Sequence, residues 1–233
     1  MEPEPSRQRA SERTDSVSRR RALAAVGGVA LGGLAGCTAL DAATGGPTEF
    51  AAGPATVSAE TVAEPGYERN EVTDQTVSRE FEVGGQTREV RVTNTVAEYD
   101  KAVELFGERY RAAVFAAVAT PQVEVLGQAF NPIADFGADE RAELIAGRYE
   151  SVSDLQRGSE YSTAVLGSDA EVVVYTAEAE IGGTDVTVDI EFHVGETVEA
   201  GSDFVLPLAA YPAVFGDGEN VRAMMNGVEH EQA

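Results

Sequence analysis

The chain has one cysteine, no tryptophan, two histidines and, in Lys101, a single lysine. One cysteine rules out an intramolecular disulfide, so no loop is stapled covalently. With so few imidazoles and amines, many catalytic schemes have few players. Signature motifs are missing as well: no His-Glu-x-x-His, Gly-x-Ser-x-Gly, Walker loop, Gly-x-Gly-x-x-Gly or EF-hand loop occurs. No cofactor is therefore implied. Basic residues are scarce, 17 Lys and Arg against 40 Asp and Glu, for a formal charge of −23. Phosphates would be repelled by that excess, so nucleic acid is excluded as a partner.

The few arginines are unevenly placed. Six of them lie in the first 21 residues, ending in Arg19, Arg20 and Arg21. A run of Ala, Gly, Val and Leu follows, from Ala22 to Ala35, and closes on Leu34-Ala35-Gly36-Cys37. A charged stretch, an apolar stretch and a small-residue cleavage site are the layout of a secretory signal. The apolar run falls short of the roughly 20 residues that a helix needs to span a bilayer, and its glycines weaken it as a helix. Ser18-Arg19-Arg20-Arg21-Ala22-Leu23 resembles the twin-arginine export pattern. Leu34-Ala35-Gly36-Cys37 resembles a lipobox, in which the thiol accepts a diacylglyceryl group and the small residues before it admit the signal peptidase. Two acyl chains give stable anchoring where one is marginal. The expected organisation is a signal peptide over 1–36, a lipidated N-terminus and flexible tether over 37–53, and a single domain over 54–233. The expected location is the outer face of the cytoplasmic membrane, with the membrane as partner through lipid on Cys37.

Cleavage before Cys37 would remove four acids and six arginines, leaving 36 acids against 11 bases, a formal charge of −25. A dense carboxylate surface with almost no lysine reads as the solubility device of an extreme halophile, where salt screens the repulsion.

Two hairpins stand out in the domain. Val72–Val83 and Gln86–Ala97 flank Gly84-Gly85, and Glu171–Ile181 and Thr184–Gly195 flank Gly182-Gly183. Two-residue glycine loops fix register. They make opposed positions sum to 169 in the first hairpin and 365 in the second. Val77, Phe81, Val83, Val90, Val92 and Val96 then share one face of the first, and Val173, Tyr175, Val188 and Phe192 one face of the second, with acids opposite. Ala112–Ala119 reads as a central strand and Gln122–Gly127 as a following one. Asp203–Tyr211 reads as an edge or bulged strand because of Pro207. Helical spacing predicts helices at Tyr99–Phe106, at Val221–Val228 with Asp217 as cap, at Ala138–Tyr149, and a short one near Ser58–Ala63. The expected class is α+β: a meandering antiparallel sheet with Gly-Gly hairpins, covered on its dry face by a few helices.

One constellation carries chemistry. Asp189, Glu191 and His193 occupy alternate positions on the wet face of one strand, where long side chains can converge on a cation with help from Glu178 or Glu180. The same residues also read as a solvated strand face in a protein rich in acids. His230 reads as a helix-end or tail residue. Tyr99, Tyr110, Tyr149 and Tyr161 read as core or pocket tyrosines, and Phe130 as the anchor of a loop.

The twin-arginine region, the lipobox, the acidic domain, Thr120-Pro121-Gln122-Val123-Glu124-Val125-Leu126-Gly127 and Gly227-Val228-Glu229-His230 together resemble a haloarchaeal lipoprotein family of unknown function. That resemblance implies location and lineage. The element order is also similar to PsbP-like sheets covered by helices, a likeness of fold that assigns no function. Two functions follow as expectations. One is a non-enzymatic lipoprotein domain binding a protein or a small ligand. The other is a metal-assisted hydrolase using Asp189, Glu191 and His193.

Overall fold

Strand β4, Gln86–Leu105, organises the sheet. In the computed structural model, which describes residues 47–83, 86–105, 108–125, 128–129, 136–147, 152–180 and 187–233, β4 pairs along most of its length with β3, Glu68–Val83. Its other side is shared by two strands placed end to end. These are β1, Thr48–Ala51, which runs parallel to β4, and β5, Glu108–Pro121, which runs antiparallel. The main sheet continues from β5 through β12, Asp203–Pro212, then β10, Thr187–Gly195, β9, Ser168–Glu180, and β8, Val152–Val165. Short β11, Val198–Ala200, pairs with the start of β12. Outside this sheet, β2, Ala55–Val57, pairs with β13, Val228–His230, and β6, Glu124–Val125, pairs with β7, Gln128–Ala129.

The expected α+β balance is not what forms. Strands hold most of the described residues, and the α-helices are short: α1, Ala59–Ala63, α2, Ala138–Ala146, and α3, Gly218–Asn226. The fold is mostly β, a large mixed sheet with few helices. Two misread segments account for much of the difference. Tyr99, Ala102 and Val103 lie in β4 and not in a helix, because Thr95, Ala97 and Tyr99 are alternately buried and continue the strand period. Asp203–Tyr211 is not an edge. It lies between β5 and β10, and Pro207 sits where the pairing of β12 passes from β11 to β10. Gly195 makes room there, since a Cβ on it would fall 2.6 Å from Pro207 Cγ. The strand expected over 122–127 shrinks to Glu124–Val125 among the described residues.

The first hairpin has the expected register, from Val72 opposite Ala97 to Val83 opposite Gln86. Its dry face is only partly dry: Val90 and Val92 are buried, but Val77 on the outer strand is 43% exposed. The second hairpin is displaced by two residues. Ala177 faces Ile190 and Tyr175 faces Phe192, so opposed positions sum to 367. A shift of two keeps each side chain on its face; Val173, Tyr175 and Phe192 are buried as expected, while Val188 is half-buried. Gly182, Gly183, Gly84, Gly85, Phe130 and Tyr149 lie outside the described residues, as does the side chain of Tyr110.

Both faces of the central strands carry core, which is why the helices divide between them. Tyr99, Phe115, Val172, Val205 and Tyr211 pack with Val221, Met224 and Met225 of α3 on one face. Val173, Tyr175, Phe192, Val194, Leu206 and Leu208 pack with Ala142 of α2 on the other. Asp217 precedes α3 as expected, but its carboxylate does not cap the helix. It accepts bonds from Tyr67 Oη (2.8 Å), Lys101 Nζ (2.8 Å) and Asn220 Nδ2 (2.6 Å). His230 lies in β13, neither at a helix end nor in a loose tail. Its Nε2 is 3.0 Å from Asp203 Oδ2, which also accepts the Gly53 N–H at 3.0 Å.

Candidate functional site

His193 points into the α3 side of the sheet, and this overturns the expectation that its strand face is wet. Antiparallel pairing places Val174 and Ala209 beside it and sets Glu191, two residues earlier, opposite Tyr211. His193 as a whole residue is 2% exposed. Tyr161 of β8 reaches its Nδ1 at 3.0 Å and Tyr211 of β12 its Nε2 at 3.0 Å. Tyr211 in turn donates its hydroxyl hydrogen to Glu191 Oε2. Gly218, the first residue of α3, lets the helix approach this closely, for a Cβ there would lie 3.1 Å from Tyr211 Oη.

Proton counting orders the chain. Tyr211 uses its only hydrogen on Glu191, so its oxygen accepts from Nε2–H of His193. That tautomer leaves Nδ1 bare, and Nδ1 accepts from Tyr161. The bonds run in one direction, Tyr161 to His193 to Tyr211 to Glu191. The electrostatics agree. Burial holds His193 below the ordinary histidine range, against the pull of Glu191. Burial pushes Tyr161 up to about 12, and burial with the Glu191 bond pushes Tyr211 well above the ordinary tyrosine range. The three rings are thus neutral at physiological pH.

These groups form the floor of an open groove of about 770 Å³. Its walls include Ser159, Gly216, Glu219 and Arg222. The Arg222 guanidinium lies 4.3 Å over the Tyr161 ring. Glu191 keeps 35% of its side chain exposed at the other end of the chain. A family model described as a domain of unknown function, DUF6517, matches residues 54–229. The chain belongs to that family. No curated protein matches the chain.

Of the residues read from sequence in this DUF6517 domain, Glu191 and His193 meet through Tyr211, with Nε2 of His193 3.7 Å from Glu191 Oε2. Asp189 is exposed and sits opposite Glu178, beyond the groove lining. Among the described residues no group of three or more His, Cys, Asp or Glu is arranged to hold a metal ion. Both imidazole nitrogens are engaged by tyrosines, so His193 has no lone pair free for a ligand in the groove. Tyr99, one of the tyrosines singled out, is core, and its oxygen accepts the N–H of Val57 at 2.7 Å. Tyr161 does line the groove. Tyr211 and Arg222 were missed. Their signal is tertiary, since neither the β10–β12 pairing nor the seat of α3 is written in local spacing.

Proposed function

We propose that the chain is a lipoprotein of an extreme halophile, held on the outer face of the cytoplasmic membrane by acyl chains on Cys37, and that its DUF6517 domain is a binding module. The groove floored by Tyr161, His193 and Tyr211 is its ligand site. One observation carries the binding reading: the groove presents charged groups at its rim, while the imidazole beneath has both nitrogens saturated by tyrosines. A general base or nucleophile activator needs a free lone pair within reach of its substrate, and a binding site does not. The lipobox, the arginine triplet and the acidic composition support the location.

The test of location is fractionation of the producing cells in molar salt. The wild-type chain is expected in membranes at its processed size, and Cys37→Ser as uncleaved or soluble protein. Replacing Arg19, Arg20 and Arg21 with Lys is expected to keep the precursor inside. A Cys37→Ser protein that still matures and sediments with membranes overturns the lipid anchor. The test of binding is a small-molecule panel screened by ligand-observed NMR against the wild-type chain and a groove-filling Ser159→Trp variant. Binding by the wild type alone is expected, and equal binding by both refutes the groove as the site.

A further inference from the structure

The groove has two poles. Arg222 belongs to a chain in which acids outnumber bases more than three to one after cleavage before Cys37. It nevertheless has no carboxylate within 4 Å among the described residues, although Glu219 lies one turn back on the same helix and on the same groove wall. Its position is set by the Tyr161 ring. A cation–π contact holds a guanidinium through the ring face and uses none of its N–H donors. Those donors stay available in the fork geometry that matches a carboxylate.

The opposite pole is Glu191. One of its oxygens, Oε2, takes the Tyr211 hydroxyl, and Oε1 has no hydrogen-bond partner among the described residues. The carboxylate is held from behind by the directed chain through His193 and Tyr161. It therefore offers a fixed, half-exposed acceptor that needs no rearrangement to meet a donor. The two poles are braced by opposite ends of that chain, since Tyr161 carries Arg222 and Tyr211 holds Glu191. The whole of His193 lies between them.

Resting on the binding reading above, we propose that the groove takes a small amphoteric molecule with a carboxylate at one end and a primary ammonium at the other. The carboxylate lies against Arg222 and the ammonium against Glu191 Oε1. The three intervening rings place the two charges further apart than in an α-amino acid. High salt favours this mode of recognition. At about 1 M the Debye length is about 3 Å, so distant charges are silent and only direct contacts select a ligand.

The experiment is a chain-length series. Glycine, β-alanine, 4-aminobutyrate, 5-aminopentanoate and 6-aminohexanoate are titrated calorimetrically into the full chain in detergent and molar KCl. N-acetyl and carboxamide derivatives of each serve as single-charge controls. Affinity is expected to pass through an optimum beyond glycine and to fall about tenfold or more for either control, the worth of one charge-assisted contact. Glu191→Gln and Arg222→Gln are each expected to weaken the best ligand by about tenfold, and Arg222→Lys by less, with unchanged circular dichroism. Equal binding by the single-charge controls overturns the amphoteric class. So does a failure of the whole series while another small molecule from the panel binds in a Ser159→Trp-sensitive manner, an outcome that leaves the binding reading standing. If nothing in either set binds, both readings fall.

Discussion

Replacing Asp217 with alanine removes one carboxylate from three partners at once. Its side chain is 5% exposed and accepts from Tyr67, Lys101 and Asn220. Tyr67 is 2% exposed, so its hydroxyl would be left in a dry site, at about 1–3 kcal/mol for an orphaned buried group. Breaking a buried ion pair by deleting one member costs about 3–5 kcal/mol. The Lys101 side chain is 30% exposed and can rehydrate, so the low end of that range applies. A total of about 4–6 kcal/mol follows. For a domain of this size each kcal/mol is worth about 2–4 °C, which places the melting temperature about 8–24 °C below wild type. Asp217→Asn keeps an acceptor for Tyr67 and loses only the charge, so its loss is smaller. The assay is thermal melting by circular dichroism in molar KCl, on Asp217→Ala, Tyr67→Phe and the double variant. Coupling between the two sites of about 1.5–3 kcal/mol is expected for a bond to a charged acceptor. Single-variant effects that add to within about 0.5 kcal/mol would refute the hub.

Three further outcomes are expected. His193 is held below its ordinary range, so protonation favours the unfolded chain; stability is full above pH about 6.5 and declines as pH falls below that value. Melts in molar salt at steps from pH 7.5 to 5.5 check this, and a slope equally present in His193→Gln would refute it. Gly53→Ala would place a Cβ 1.7 Å from the backbone oxygen of Glu231. It is expected to displace the C-terminal strand at about 1–3 kcal/mol, read as faster proteolysis near residue 230. Finally, with a formal charge of −25 over residues 37–233 and no disulfide, the domain is expected to fold in molar KCl and to lose structure in millimolar salt, where the Debye length reaches about 30 Å. A melting temperature that stays flat across that series would overturn the halophilic reading.

Local pattern carried the parts of this fold that depend on local rules. The β3–β4 hairpin was legible because Val77, Phe81, Val83, Val90, Val92 and Val96 fall on one face around its glycine loop. In the β9–β10 hairpin the faces were legible and the register was not, since a two-residue shift leaves every face unchanged. Tyr99, Ala102, Val103 and Phe106 satisfy helical spacing, while Thr95, Ala97 and Tyr99 satisfy strand spacing. Burial under α1 and α3 decided between them, and burial is a tertiary quantity. The site follows the same division. Glu191 and His193 were visible as neighbours on one strand. Their chemistry was not, because Tyr211 arrives from β12, Tyr161 from β8 and Arg222 from α3.

The placement of the scarce cations separates those that clip elements together from Arg69, Arg141 and Arg222, which pair with no carboxylate among the described residues, and of these three only Arg222 lines the groove. Arg91 joins β4 to Glu49 of β1, and Arg111 joins β5 to Glu98 and Asp100 of β4. Arg157 joins β8 to Asp139 at the start of α2, and Lys101 joins β4 to the residue that precedes α3. Each pair crosses from one element to another at contact distance. The exposed arginine pairs are individually worth about 0–1 kcal/mol, but they act where salt does least to weaken them. At a Debye length of about 3 Å, long-range attraction to the acidic surface is gone while a contact of 2.8–3.3 Å persists. Acids meanwhile face each other directly, Glu80 opposite Glu89 and Glu71 opposite Glu98, and one acid of each pair is met by an arginine, Glu89 by Arg91 and Glu98 by Arg111. A cation in this chain is therefore informative by what it joins. Arg222 joins no two elements through a carboxylate among the described residues; it rests on the Tyr161 ring in the groove lining, with its donors unbonded there. Arg222→Gln should accordingly leave the melting temperature within about 1–2 °C of wild type, as surface changes do, while weakening the best ligand by about tenfold. A large fall in stability would return Arg222 to the set of structural clips and remove the argument for an anionic group in the ligand.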